Sequence, residues 1–423
     1  MKDVKQISGL KRFWDEERES ASVYAGAFFQ AFCGTFWLVA MPFVIKRLGG
    51  TDFDAGLCLG LLFGGYMTAL AMCLLSRDVL DRFNKKRMAQ LGAGAITAAM
   101  TAGFITVAAA EKGICGGKTA MITLIALSTA QGAATVLFWP VLVGWLSTSH
   151  EGRQLNRRLG IFNVSWSLGG VASPWFAGYL VKSSSISPLV TCAVVAAMSL
   201  MSVSLARKPS SHNLLPPEDN GISDNAAQIL RRRFRWMSRI ALFTSFVCSG
   251  LLRTHLGLLM KFNLGFSESS YGKAFMIMST AIFAALFAAG KTHRWHHKLP
   301  VFMGTQGLLL ASMLMIVGGN LLWQFFLAAA IAGVAQGFLY SSHLYYVVSG
   351  EKNRSVRMAI HEITLSIGFL TGSIAGGYIS DQFGRFAPYW FGLAVVAAGV
   401  ALQGGIWLWC ANKPNSGEPK TCG

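Results

Sequence analysis

Acidic residues are scarce in this chain: 19 Asp and Glu stand against 37 Lys and Arg in 423 residues, and charged residues of every kind reach only 13%. A water-soluble domain carries about 25% charged residues to cover its surface, so the composition argues against a soluble fold. The shortage also argues against a membrane-embedded enzyme of lipid or glycan chemistry. Such enzymes gather carboxylates around a metal or phosphate or set a nucleophile beside a base, and neither HxxxD nor GxSxG occurs here. The one DxxD, Asp78 with Asp81, lies among Arg77, Arg82, Lys85 and Lys86, which compete for its carboxylates. The eight cysteines (33, 58, 73, 115, 192, 248, 410 and 422) contain no CxxC pair. Most lie in apolar runs, where a thiol behaves as a small hydrophobe, so neither a disulfide framework nor a metal site is implied. The first 21 residues have no short apolar core ahead of a cleavage site; no secretory signal peptide is expected, and the first span directs insertion.

What the chain does have is long apolar runs, with 53% hydrophobic residues overall. Runs such as 55–75, 88–110, 120–146 and 300–318 are close to or above the roughly 20 residues a helix needs to cross the hydrocarbon layer. A barrel would show short alternating segments instead. Spans are expected at roughly 22–45, 55–76, 88–110, 119–147, 157–181 and 188–206, then 237–260, 269–290, 300–318, 321–349, 356–380 and 387–411. The reading is an all-α membrane protein with twelve transmembrane helices in two six-helix halves, 22–206 and 237–411. A terminal segment (1–21), a linker (207–236) and a tail (412–423) complete it. The linker carries Pro209, Pro216, Pro217, Asn220 and Gly221, which favour turns, and ends in the basic run Arg231-Arg232-Arg233-Phe234-Arg235.

Basic residues at the span ends set the orientation. With the N-terminus in the cytoplasm, 28 of the 37 Lys and Arg fall on the cytoplasmic side and 8 on the outer side, with Arg253 alone deep inside a span. Both termini are then cytoplasmic, and a bacterial inner membrane is the expected location. The same distribution removes nucleic acid as a partner, because the net charge of +18 is spread over short loops. The run at 231–235, with Phe234 and Trp236 interleaved, is expected to lie on the anionic inner leaflet as a short amphipathic helix. His293, His296 and His297 sit in a short cytoplasmic loop beside Arg294 and Lys298, and free imidazoles are expected there, with no metal.

A repeat gives the architecture. Arg158-Leu-Gly-Ile-Phe-Asn-Val-Ser-Trp-Ser-Leu-Gly169 is echoed 199 residues later by Arg357-Met-Ala-Ile-His-Glu-Ile-Thr-Leu-Ser-Ile-Gly368. Ala130-Gln131-Gly132 is echoed by Ala335-Gln336-Gly337. Spans five and eleven are therefore one element in two copies. Six spans separate them, so the halves share orientation and are related by an axis along the membrane normal. The loop after span two reads Arg77-Asp-Val-Leu-Asp81-Arg82-Phe-Asn84-Lys85-Lys86. It resembles the G-x-L-x-D-R-x-G-R-K loop of the major facilitator superfamily, keeping Asp81, Arg82 and the basic pair but carrying Arg77 and Asn84 for the glycines. Asn tolerates the left-handed backbone a glycine would supply. The resemblance implies that Asp81, Arg82, Asn84, Lys85 and Lys86 form a gate loop holding the inward face closed. A further partial match, Asp381-Gln-Phe-Gly384-Arg385, falls on the outer side and is set aside as coincidence.

Polar groups in hydrocarbon are costly and mark cavities or helix partners. Arg253 and Glu362 are the two firmly charged side chains well inside spans, roughly 15 Å apart along the axis at 1.5 Å per residue, too far for a direct ion pair. His361 and His343 share the depth of Glu362, and Asn163 is its repeat-equivalent. The family's cavity is lined chiefly by spans one, four, seven and ten, which implies Gln30, Trp37, Gln131, Trp139, Gln336 and Tyr340 as further lining residues. The expected function is secondary active transport of a small solute by alternating access, with no cofactor, by a monomer in the lipid bilayer. Glu362 is the one intramembrane carboxyl available to carry a proton. Multidrug or metabolite efflux is the alternative within the same fold, ahead of a lipid flippase, a sensor or an enzyme.

Overall fold

The computed structural model describes residues 20–75, 84–147, 152–206, 225–292, 294–348 and 354–411. Over these the chain forms helices α1 (Ala21–Arg47), α2 (Asp52–Leu75), α3 (Lys85–Glu111), α4 (Gly117–Thr135), α5 (Trp139–Ser147), α6 (Gly152–Ser183) and α7 (Ile186–Leu205). The second set is α8 (Asn225–Phe262), α9 (Glu268–Lys291), α10 (Leu299–Val317), α11 (Leu322–Val348), α12 (Arg354–Phe383) and α13 (Ala387–Ala411). Among the described residues there are no strands. Eleven stretches are long and apolar enough to cross a membrane, α4 and α5 together forming one. The remaining long helix, α6, runs for 32 residues, but its Gly, Ser and Asn content dilutes its hydropathy. Large apolar side chains such as Leu75, Leu91 and Phe383 stand exposed on the outside, a surface suited to lipid and not to water. The chain is an integral, multi-pass membrane protein.

Two elements depart from the sequence reading. The fourth span is interrupted by a turn at 136–138, whose amides bond three residues back to Ala133, Ala134 and Thr135. Pro140 explains the break: it has no amide hydrogen and its ring would collide with the carbonyl four residues earlier. The helix that carries the seventh span begins well before the span itself, because α8 is continuous from Asn225 while its membrane-spanning stretch starts at Arg232. The basic run is thus the first part of a spanning helix and not a separate helix on the leaflet. Phe234 is fully buried against Tyr346, Phe302 and Trp407, and Arg235 Nε donates to the Tyr346 carbonyl at 3.2 Å. Apolar anchoring and a helix-to-helix bond hold that turn to the protein.

The repeat is visible in the packing. In the first half α1 packs on α6 and α7, α2 on α4, and α3 on α4 and α7. In the second half α8 packs on α12 and α13, α9 on α11, and α10 on α11 and α13. These are the same partners one half-chain later. Gly169 and Gly368, the last residues of the repeated motif, do the same job in each half: a Cβ on Gly169 would strike the Phe28 carbonyl of α1, and one on Gly368 the Phe243 carbonyl of α8. The halves meet along α2·α12, α6·α9 and α1·α8, again symmetry-related pairs. Helices α1 and α8 sit at the centre: 72% and 83% of their most apolar windows are buried, against 22% for α13.

Candidate functional site

The densest intramembrane polar cluster joins α11, α12 and α2. His343 and His361 are completely buried, with their Nδ1 atoms 2.6 Å apart and their rings stacked at 24°. One Nδ1 must donate and the other accept, so the pair holds one proton between its rings. Each Nε2 is buried without a partner. Tyr340 sets its ring edge-on to His361, centroids 4.7 Å apart. The next residue, Glu362, points across the interface between the halves, where Tyr66 on α2 donates to its Oε2 at 3.3 Å. Tyr66 is held in turn by a small apolar cluster of Leu70, Val136 and Ala359. His343, His361, Tyr340 and Glu362 thus lie in one region, and Tyr66 joins them unforeseen.

Arg253 stands apart. Helices α8 and α12 run side by side with Gly368 against Phe243, Gly372 against Val247 and Gly250 against Ser373. In that register Glu362 lies level with residues near 237, on the order of 20 Å along the axis from Arg253. Thr254 and His255 fasten α8 to Ser373 of α12, at 3.0 Å and 2.8 Å. Arg253 projects from a different side of the helix, with its guanidinium over the Phe275 ring of α9, 4.9 Å from the centroid. Its Nε is buried with no acceptor, and among the described residues no carboxylate pairs with it. A cation–π contact returns about 0.5–2 kcal/mol, less than the several kcal/mol that desolvating an unpaired charge costs.

The remaining candidates divide. Gln30 and Gln131 are buried with an Oε1 that has no partner, as groups awaiting a polar ligand would be. Gln336, the repeat-equivalent of Gln131, is instead satisfied by Ser249 Oγ at 2.9 Å. Trp37 is core, its Nε1 donating to Ser128 Oγ at 3.1 Å. Trp139 packs on Phe138 and Phe162. Asn163 is exposed and accepts from Trp166 one turn on, at 3.0 Å. It does not approach Glu362. In the gate loop, Asp81 and Arg82 lie outside the described residues. Asn84 is not left-handed: at φ −61° and ψ 114° it caps α3, accepting from the amides of Lys86 and Arg87. Lys85 donates to the Gly144 carbonyl at 3.0 Å and Lys86 to the Ala206 carbonyl at 2.7 Å, at the ends of α5 and α7, where cations suit the helix dipole. Both contacts lie within the first half. His293 also falls outside the described residues. His296 and His297 are not free in water: His296 stacks on Tyr345 at 3.8 Å, and the His297 amide donates to Tyr346 Oη at 2.9 Å. No grouping of three metal-ligating side chains occurs among the described residues.

At the end of the bundle opposite the termini, the halves are strapped together by charges. Asp52 opens α2, is 2% exposed, and receives Arg385 Nε at 2.8 Å, Lys46 Nζ at 3.0 Å and Ser380 Oγ at 2.7 Å. Asp381 returns the contact, accepting from the amides of Asp52 at 3.0 Å and Phe53 at 2.9 Å at the start of α2, an anion at a helix N-terminus. A second strap joins Arg47 of α1 to Glu268 of α9 at 3.5 Å, with Lys261 on the same carboxylate at 3.2 Å. Just inside it, Gly178 of α6 and Gly272 of α9 lie so close that a Cβ on either would strike the other helix's backbone. The motif at 381–385 is therefore half of an interface clamp. The signal that could have found it was an acid at the start of the second helix of each half, Asp52 and Glu268.

A family model described as Major Facilitator Superfamily matches residues 23–349 and again 240–422. No curated protein sequence matches the chain. Among solved structures it is similar to a bacterial homologue of the human lysosomal transporter Spinster in an inward-facing, unoccupied conformation. That pair has a TM-score of 0.66 at 14% identity, over 93% of this chain and 96% of the other. It is similar to the nucleoside transporter NupG, TM-score 0.69 at 10% identity, over 92% of this chain and all of that one. A bacterial homologue of the iron transporter ferroportin, in an inward-facing state, gives 0.67 at 13% identity over 94% and 99%. At such identities the likeness establishes the fold.

Proposed function

The chain belongs to the major facilitator superfamily and is a transporter and not an enzyme; from that premise we propose that it carries a small solute by alternating access, with Glu362 taking up and releasing a proton in each cycle. Residues 22–206 and 237–411 are the two bodies that rock, and the end carrying both termini faces the cytoplasm, where the basic residues gather. The state described is then closed on the outside, by the Asp52–Arg385 and Arg47–Glu268 straps. Two of the similar structures are inward-facing, in keeping with that reading.

The observation that carries the coupling step is the bond from Tyr66 to Glu362 across the interface of the halves. A carboxylate accepts this bond, whereas a protonated carboxyl also needs an acceptor for its own hydrogen. The protonation state of one side chain thereby biases how the two halves dock, the condition under which proton binding shifts a two-state equilibrium. The test is uptake into proteoliposomes under an imposed pH gradient. Glu362→Gln should bind solute and exchange it across the membrane while losing acceleration by the gradient. Wild-type pH dependence in that variant would falsify the coupling role.

A further inference from the structure

We propose that Arg253 is the anchor of an anion subsite, so that the solute carried is an organic monoanion whose charged end meets this guanidinium. The inference deepens the transport reading and rests on it for direction and coupling, but not for binding.

Arg253 is the one Lys or Arg well inside a span, nearer the strapped end than the other. Every acid near its level is otherwise engaged: Asp52 by Arg385, Lys46 and Ser380, Glu268 by Arg47 and Lys261, and Asp381 by the amides that open α2. The guanidinium receives nothing in return except the Phe275 face, and Nε stays unpartnered. The Tyr271 hydroxyl donates to the Arg253 carbonyl at 2.6 Å, and the guanidinium makes no hydrogen bond to it. The backbone there is rigid, because Gly250, Thr254 and His255 are locked to α12. A fork of donors held on an inflexible helix is suited to a planar two-oxygen acceptor such as a carboxylate.

The position also suits a substrate group. Arg253 lies on the side of α8 shared by Phe246, Ser249 and Gly257, which contact α11, α1 and α9, and it sits just beneath the strapped end. Phe43, Tyr271 and Phe275 pack beside it as buried core, with centroid separations of 5.8 Å and 5.9 Å, while Arg253 itself is only partly buried. An anion entering from the opposite end would reach Arg253 last. With one proton on Glu362, transport of a monoanion would move no net charge.

The experiment measures melting temperature and affinity of the full-length protein in detergent, with benzoate as the probe anion and benzamide as its uncharged isostere. Wild type should be stabilised by benzoate and not by benzamide. Arg253→Gln should weaken benzoate by roughly tenfold to a hundredfold, and Arg253→Lys should retain part of the affinity. Without any ligand, Arg253→Gln should melt at or above the wild-type temperature, because it removes a charge that no carboxylate pairs with. Equal effects of benzoate and benzamide, no effect of benzoate on wild type, or a lower melting temperature for ligand-free Arg253→Gln would each overturn the proposal. Benzoate binding is read on Arg253→Gln and acceleration by the pH gradient on Glu362→Gln, which separates a failure of the subsite from a failure of coupling.

Discussion

Arg385, in the turn before α13, reaches back 333 residues to donate through Nε to the buried carboxylate of Asp52 at 2.8 Å. The bond spans the two halves, and Lys46 and Ser380 hold the same carboxylate.

Asp52→Asn should therefore loosen the closed outer end. Removing one member of a buried charged set typically costs about 3–5 kcal/mol, but Asp52 retains Ser380 as a donor, so an intermediate loss is expected. The population open on that side should rise at least tenfold, read as the spin-label distance between α2 and α12 or as thiol labelling near residue 52. An unchanged distance distribution would show that the strap does not set the closed state.

Gly272→Leu should act in the opposite sense from a stabilising contact. Its side chain would meet the Pro174 carbonyl and Gly178 of α6, so the ends of α6 and α9 could not close. The variant should insert and fold, with net transport reduced more than tenfold and the outward-open form dominant in the same distance measurement.

Tyr66→Phe removes the hydroxyl and nothing else. A neutral-to-charged hydrogen bond of this kind is worth about 1.5–3 kcal/mol. The variant should shift the pH dependence of uptake, while Glu362→Gln abolishes it. Identical profiles for Tyr66→Phe and wild type would show that the bond is incidental to coupling.

His343→Leu and His361→Leu should each destabilise by about 1–3 kcal/mol, since each strands a buried Nδ1. The double variant should lose less than the sum of the two, because the stranded atom is gone as well. Thermal unfolding of the four proteins gives the coupling energy directly, and strict additivity would mean the two rings do not share a proton.

How much of this was legible in the sequence differs by kind of interaction. Apolar run length and the echo of Arg158–Gly169 in Arg357–Gly368 carried the architecture, since both follow from local chemistry repeated in order. The cluster at Glu362 was partly legible, because a carboxyl and two histidines in hydrocarbon announce themselves. Tyr66 was not: a tyrosine in an apolar helix looks like any aromatic until its neighbour is known. Asp52 and Arg385 were hidden for another reason. Each sits at a span end, where charge is ordinary, and only the fold places two such ends against each other. Pro140 was visible throughout, yet its effect on the fourth span was not anticipated, because a proline near the start of a helix is harmless while one in its middle breaks it. Position 140 becomes a start only because the turn at 136–138 exists.

That turn has a mechanical consequence. Its counterpart in the second half, α11, runs from Leu322 to Val348 without interruption, so the two copies of this element differ in stiffness. One is a solid rod and the other a jointed one. The joint touches the interface as well, since Val136 packs with Tyr66 and Ala359. A perfectly symmetric rocker would bend neither helix; this one has a built-in elbow on the side whose Tyr66 meets Glu362, and motion there need not be repeated on the other.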